Sequence, residues 1–208
     1  MKERPILFSA PMVRAILEGQ KTQTRRIVKS NHIKNMAHSL GKGTWLFTWN
    51  PFSTSDSNAV VCQCPHGQPG DRLWVRETFM CLDNRDGGRK ILYKADAGEK
   101  VVRPGRGDDD WRGDSKWRPS IFMLREYSRI TLEITNVRVE RVQDISEADA
   151  ESEGVAEYAK SSCSRDPDDA LDPTSYFELL WSTINGRASW DNNPFVWVLE
   201  FKRILRAR

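Results

Sequence analysis

Apolar and polar residues alternate most regularly over Ile130-Thr131-Leu132-Glu133-Ile134-Thr135-Asn136-Val137-Arg138-Val139. Ile130, Leu132 and Ile134 point one way, which predicts a long strand, bulged near Asn136. Arg72–Phe79 alternates too, with Leu73, Val75 and Glu77 on one face, after a turn at Gln68-Pro69-Gly70-Asp71. Phe195–Phe201 reads as a closing strand. At the other end, Pro5–Ser9 is a short apolar run, and Met12, Ala15 and Ile16 recur at the spacing of one buried helix face. Pro11 suits that helix's first turn, and Gly19 is placed for a left-handed stop. Ser146 followed by Asp149 predicts a capped, short acidic helix closing at Gly154, and Tyr176–Trp181 opens an amphipathic helix that stops at Asn185-Gly186.

Two stretches break the pattern. Residues of about 30–68 are rich in Ser, Asn, Gly and Thr, with Trp45, Phe47 and Trp49 alternating as one hairpin strand. Residues of about 83–117 are charged and Gly-rich, with Ile91-Leu92-Tyr93 as the ordered piece. Both read as insertions in a single α+β domain spanning 1–208.

Composition narrows the function classes. No apolar run approaches the ~18 residues of a membrane span, and Met1–Pro5 lacks a signal-peptide stretch, so a cytoplasmic protein with no membrane partner is expected. A net charge of +3, from 32 basic and 29 acidic residues, is too balanced for coating nucleic acid through bulk electrostatics, so an anionic ligand has to be held locally. Cys62, Cys64, Cys81 and Cys163 are expected as free thiols. Cys62-Gln63-Cys64-Pro65-His66 is half a zinc site without a second pair, and no phosphate or dinucleotide loop occurs, so neither metal nor cofactor is expected. His32, His38 and His66 all fall in the first insertion, away from any nucleophile elbow.

The chemistry concentrates in one segment. Thr22–Val28 is β-branched at alternate positions and as a strand presents Thr22, Thr24 and Arg26 on one polar face, which is either solvated or lines a site. Lys21 can serve Thr24 as a base if burial, or Arg25 and Arg26, lower its pKa. Residues three apart on a strand face opposite ways, so Lys21 has to sit on the preceding turn with its side chain folded back.

Gly19-Gln20-Lys21-Thr22-Gln23-Thr24-Arg25-Arg26 resembles the G-x-K-x-x-E-x-R signature of ASCH domains, relatives of the PUA RNA-binding barrel. Gly19, Lys21 and Arg26 match, while Thr24 stands where many members carry Glu. Small ASCH enzymes that hydrolyse N4-acetylcytidine have the same Lys-x-x-Thr. Gly70–Glu77, Trp117-Arg118-Pro119-Ser120 and the Trp-bearing last strand look like a longer, largely phage and prophage ASCH group, so the resemblance covers most of the chain outside the insertions. It implies a PUA-like small β-barrel with flanking short helices. It also implies an amidohydrolase acting on an N4-acylated cytidine, with Thr24 as nucleophile, Lys21 as base and Glu153 as third member, Glu151 being the competing acid. Glu153 would protonate the leaving amine or activate water. Arg26 is then a candidate oxyanion donor, Trp74 or Trp190 a base-stacking residue, and Arg76, Arg118 and Ser120 further substrate contacts. The other class the fold admits is an RNA-binding or RNA-cleaving module using Arg25, Arg26, Arg72 and Arg76.

Overall fold

A computed structural model describes residues 1–29, 36–41, 43–48, 60–84, 89–97, 111–112, 116–162 and 171–204. In chain order these form β1 (Glu3–Leu7), α1 (Ala10–Leu17), β2 (Gln23–Ile27), β3 (Met36–Gly41), β4 (Thr44–Thr48), β5 (Val60–Gln63), β6 (Arg72–Arg76), β7 (Phe79–Asn84) and β8 (Arg89–Tyr93). Then follow α2 (Lys94–Ala97), β9 (Trp111–Arg112), β10 (Thr131–Arg141), α3 (Glu147–Ser152), α4 (Val155–Ser162), α5 (Pro173–Asn185), α6 (Arg187–Asp191) and β11 (Phe195–Ile204).

The longest alternating segment becomes the longest strand. β10 pairs antiparallel with β11, and its register shifts between Ile134 and Asn136, where the bulge is expected. The main sheet runs β1-β6-β10-β11-β2, with β1 and β6 parallel and the other neighbours antiparallel. β11 lies fourth in it and is buried on both faces, which is why Phe195–Phe201 is almost continuously apolar. Trp197, Leu199 and Phe201 join Ile6, Leu73 and Leu132 in one core, while Val196 and Val198 pack under α5 with Phe177, Leu180 and Trp181.

The α+β class holds, but among the described residues the sheet does not close into a barrel. β1 and β2 remain its two edges, joined by a side chain rather than a ladder: Arg26 Nη2 donates to Leu7 O at 2.8 Å. The predicted strand over Arg72–Phe79 also divides in two, because Glu77 turns into the interior to meet Arg129 at 2.9 and 3.0 Å.

The insertions carry more order than expected. The described part of the first is a three-stranded sheet, β3-β4-β5, seated on the core by Phe47, whose ring lies edge-on to Phe195 and Trp197 at 5.8 and 6.3 Å. The second supplies β8 and β9, which flank β7 in the three-stranded sheet β8-β7-β9. Trp49, His32 and Cys163 lie outside the described residues.

Helix ends follow the local chemistry. Ser146 caps α3 by accepting from the Asp149 N–H at 3.2 Å, and Asp172 caps α5 by accepting from the Thr174 and Ser175 N–H groups. Gly154 ends α3 at φ +78°, in the left-handed region, and a Cβ there would stand 2.9 Å from Ala15 Cβ and 3.0 Å from Lys21 Cβ. Gly154→Ala is therefore expected to cost about 1–3 kcal/mol, through strain plus displacement of α1 and Lys21. Urea unfolding checks this, and an unchanged midpoint would refute it.

Candidate active site

Lys21 sits on the turn between α1 and β2. Gly19 reverses the chain at φ +79°, and the Gln20 and Lys21 N–H groups both donate to Ala15 O, at 2.9 and 3.1 Å. Thr22 N–H donates to Ser152 O at 2.9 Å, which fastens this turn to the end of α3. As expected, Lys21 precedes the strand. The side chain is wholly buried, and Nζ donates to both Oε2 and the main-chain O of Glu153, each at 2.7 Å.

Glu153 is the C-cap of α3, with its N–H on Asp149 O at 3.0 Å. Its second carboxylate oxygen, Oε1, accepts from Arg25 Nη1 at 3.1 Å. The competing Glu151 is exposed. Burial is the main force on the Lys21 ammonium and pushes its pKa below the ordinary lysine value; Glu153 opposes this, while Arg26 and Arg25 add to it.

Thr24 is 2% exposed and lines a cleft of about 1060 Å³ that runs along β2 and also touches Glu153, Arg25 and Arg26. Pro5–Phe8 form the facing wall. Cys62, Pro65 and His66 come from the first insertion, and Phe177, Leu180 and Trp181 from α5. Thr22 O and Val28 N–H are bonded to Phe201 and Phe195, at 2.8 and 2.9 Å, so even-numbered residues of β2 direct their backbone at β11. The N–H groups of Arg25 and Ile27 consequently point to the free edge.

Thr24, Arg26, Glu153, Arg76 and Ser120 line one cleft, and Lys21 is joined to it through Glu153. Both Lys21 hydrogen bonds go to Glu153 rather than to Thr24. Arg26 is half-buried, occupied by Leu7 O and lying 5.3 Å from the Phe8 ring centre.

Three expected contacts are displaced. Trp74 is buried away from the cleft lining, under Arg76 and Arg125 at 4.6 and 5.9 Å, because it takes the opposite face of β6 from Leu73 and Val75. Arg118 is exposed, its backbone bridged to Phe79. Trp190 packs edge-on against Phe177 at 6.2 Å. The aromatic lining comes instead from Phe8, Phe177, Trp181 and Trp197. Among the described residues no group of three or more His, Cys, Asp or Glu could hold a metal ion, and no helix is long and apolar enough to cross a membrane.

Sequence reasoning set His66 aside with its insertion, yet β5 and the turn after it carry it to the cleft. Burial, then Arg26, Arg4 and Lys29, lower its pKa from 6.5 to about 4. Comparisons with known protein families, with curated proteins and with solved structures return no match for this chain.

An unfolded His66 binds its proton near pH 6.5 and the folded one only near 4. The stabilisation is thus complete above 6.5 and is lost as pH falls through this window. In His66→Gln, stability measured by urea unfolding should fall less between pH 6.5 and 4 than in the wild type. Parallel curves would refute the assignment.

Proposed function

We propose that this chain is a cytoplasmic amidohydrolase that cleaves the N4-acyl amide of an acylated cytidine, with Thr24 as nucleophile and Lys21 as its base. The observation that carries the reading is the buried Lys21–Glu153 pair, with its depressed lysine pKa, beside a cleft lined by Thr24. Thr24 Oγ bonds to the acyl carbon as its proton passes to Lys21 Nζ. The tetrahedral intermediate collapses, the carbon–N4 bond breaks, and Lys21 returns the proton to the departing amine, leaving an acyl ester on Thr24. Water then attacks that ester with Lys21 again taking the proton. The carbon–Oγ bond breaks, Thr24 recovers its proton, and the carboxylic acid leaves.

Glu153 accepts hydrogen bonds from Lys21 and Arg25 with its two oxygens, so its role is to orient Lys21 rather than to donate a proton. As the neutral amine that this step requires, Lys21 spends its two N–H groups on Glu153 and keeps its lone pair to accept the proton of Thr24. The Arg25 and Ile27 N–H groups on the free edge of β2 are the candidate oxyanion donors. The aromatic lining suits a flat base, with Arg76 and Ser120 near for sugar hydroxyls. In fold terms the reading is of a PUA-like ASCH barrel whose seam, between β1 and β2, is the cleft.

A second reading, in which RNA is bound or cleaved, is favoured by one observation: Arg72 Nε, Arg76 Nε and Arg125 Nη1 are buried without a hydrogen-bond partner among the described residues. Release of cytidine from N4-acetylcytidine separates the two. Thr24→Ala and Lys21→Ala are each expected to lower turnover by about 10²–10⁴-fold. Absence of turnover by the wild type at high enzyme concentration would overturn the hydrolase reading, and salt-sensitive RNA retention would then favour the second.

A further inference from the structure

On the face of β2 opposite Thr24 and Arg26, Gln23 and Arg25 are as buried as Thr24. Gln23 Nε2 donates to Asp149 O at 2.7 Å. Arg25, its side chain 1% exposed, is held on every side. Nε donates to Glu140 Oε1 at 3.1 Å, Nη2 to that same oxygen and to Asp149 Oδ2 at 3.1 Å, and Nη1 to Glu153 Oε1 at 3.1 Å. The plane of the guanidinium lies over Phe177, 5.5 Å from the ring centre. Arg138 braces the same two anchors, reaching Glu140 Oε2 at 3.1 Å and Asp149 Oδ2 at 2.6 Å.

This arrangement serves more than burial. Of Arg25's three carboxylate partners, Glu140 and Asp149 are shared with Arg138, and only Glu153 is shared with Lys21. We propose that Arg25 is a positioning residue of the site, holding Glu153 by Oε1 so that the other oxygen stays on Lys21 and the carboxylate's charge is divided between two cations. A Glu153 given wholly to Lys21 would bind the lysine proton more tightly. A Glu153 shared with Arg25 fixes the amine while drawing less on its charge.

The charged groups facing Lys21 are Glu153 at the end of α3 and Arg25 and Arg26 on β2, with Phe8 as the apolar neighbour, 5.7 Å from Nζ to the ring centre. Arg25's own positive charge also acts on Lys21 in the lowering direction. A planar fork is needed for it: one Lys in place of Arg25 has a single nitrogen to spread over Glu140, Asp149 and Glu153.

The proposal rests on the hydrolase reading for its kinetic arm only. In that arm, Arg25→Gln is expected to move the acid limb of kcat/KM for N4-acetylcytidine up by about one pH unit, a loss of about tenfold below it, with the alkaline plateau preserved. Arg25→Lys keeps the charge but not the fork, so it should leave the limb near its Arg25→Gln position, and a full return to the wild-type position would overturn the proposal in favour of charge alone. A second arm needs no turnover: the isotope-labelled ε-carbon of Lys21, assigned by its loss in Lys21→Met, is titrated by NMR in each variant. In Arg25→Gln the Lys21 midpoint should rise by about one unit. If Arg25→Gln does not fold, Glu140→Gln replaces it. That variant removes one of Arg25's two other anchors, leaves Asp149, shifts the guanidinium's charge toward Glu153, and should lower the Lys21 midpoint. A Lys21 midpoint unmoved in whichever of these variants folds overturns the proposal, as does a plateau that drops with the limb in place. Wild-type inactivity on N4-acetylcytidine overturns the hydrolase reading alone and leaves the titration to decide Arg25.

Discussion

An ammonium and a carboxylate taken out of water together are the constraint around which this molecule is arranged. Each ion loses several kcal/mol of hydration, and their mutual attraction offsets this only when every remaining donor and acceptor finds a partner. For Lys21 and Glu153 those partners are supplied by the backbone of Glu153 and by Arg25. The turn carrying Lys21 is fixed by three main-chain hydrogen bonds, two to Ala15 O and one to Ser152 O. The glycine after Glu153 exists because any side chain there would meet Ala15 and Lys21. Site and fold are therefore one piece of packing, and the ion pair survives burial because the elements that bear it cannot separate.

Strand β2 shows how one short segment serves two environments. Being an edge strand, it offers one backbone edge to β11 and the other to the cleft. Being covered on the far side by α3 and α5, it buries Arg25 as well as Thr24. From the first insertion, Phe47 packs on β11 and His66 walls the cleft along β2. The wall excludes solvent from one side, and that exclusion is also what depresses His66.

The regular parts of this fold were legible because a period of two or of 3.6 residues reflects burial on one face, and β10 and α1 are buried that way. Lys21, Thr24 and Glu153 were legible as a motif plus an acid near a helix end. Arg25 was legible as a cation beside Lys21 but its burial was not, since a charged residue in a strand reads as solvated unless one knows that a helix covers it; the acid-rich run of Asp144–Glu157 was the available signal. Trp74 misled for the converse reason. Its spacing from Leu73 and Val75 set it on the outer face, yet a sequence gives no indication that two arginines will roof that face. His66 was lost with its insertion, because nothing in aperiodic sequence says where a loop returns.

The pairing of β2 with β11 joins Thr24 to Leu199, and the ion pair joins residues 132 positions apart. Neither contact has a local precursor: the segment bearing Lys21 and Thr24 has no strand partner until β11 exists, and no counter-charge until α3 does. During synthesis that segment is an unpaired strand with a lysine and two arginines along it, and those charges keep it in water and away from other exposed edges while it waits. The same cations that later crowd the site thus protect the chain before the site is made.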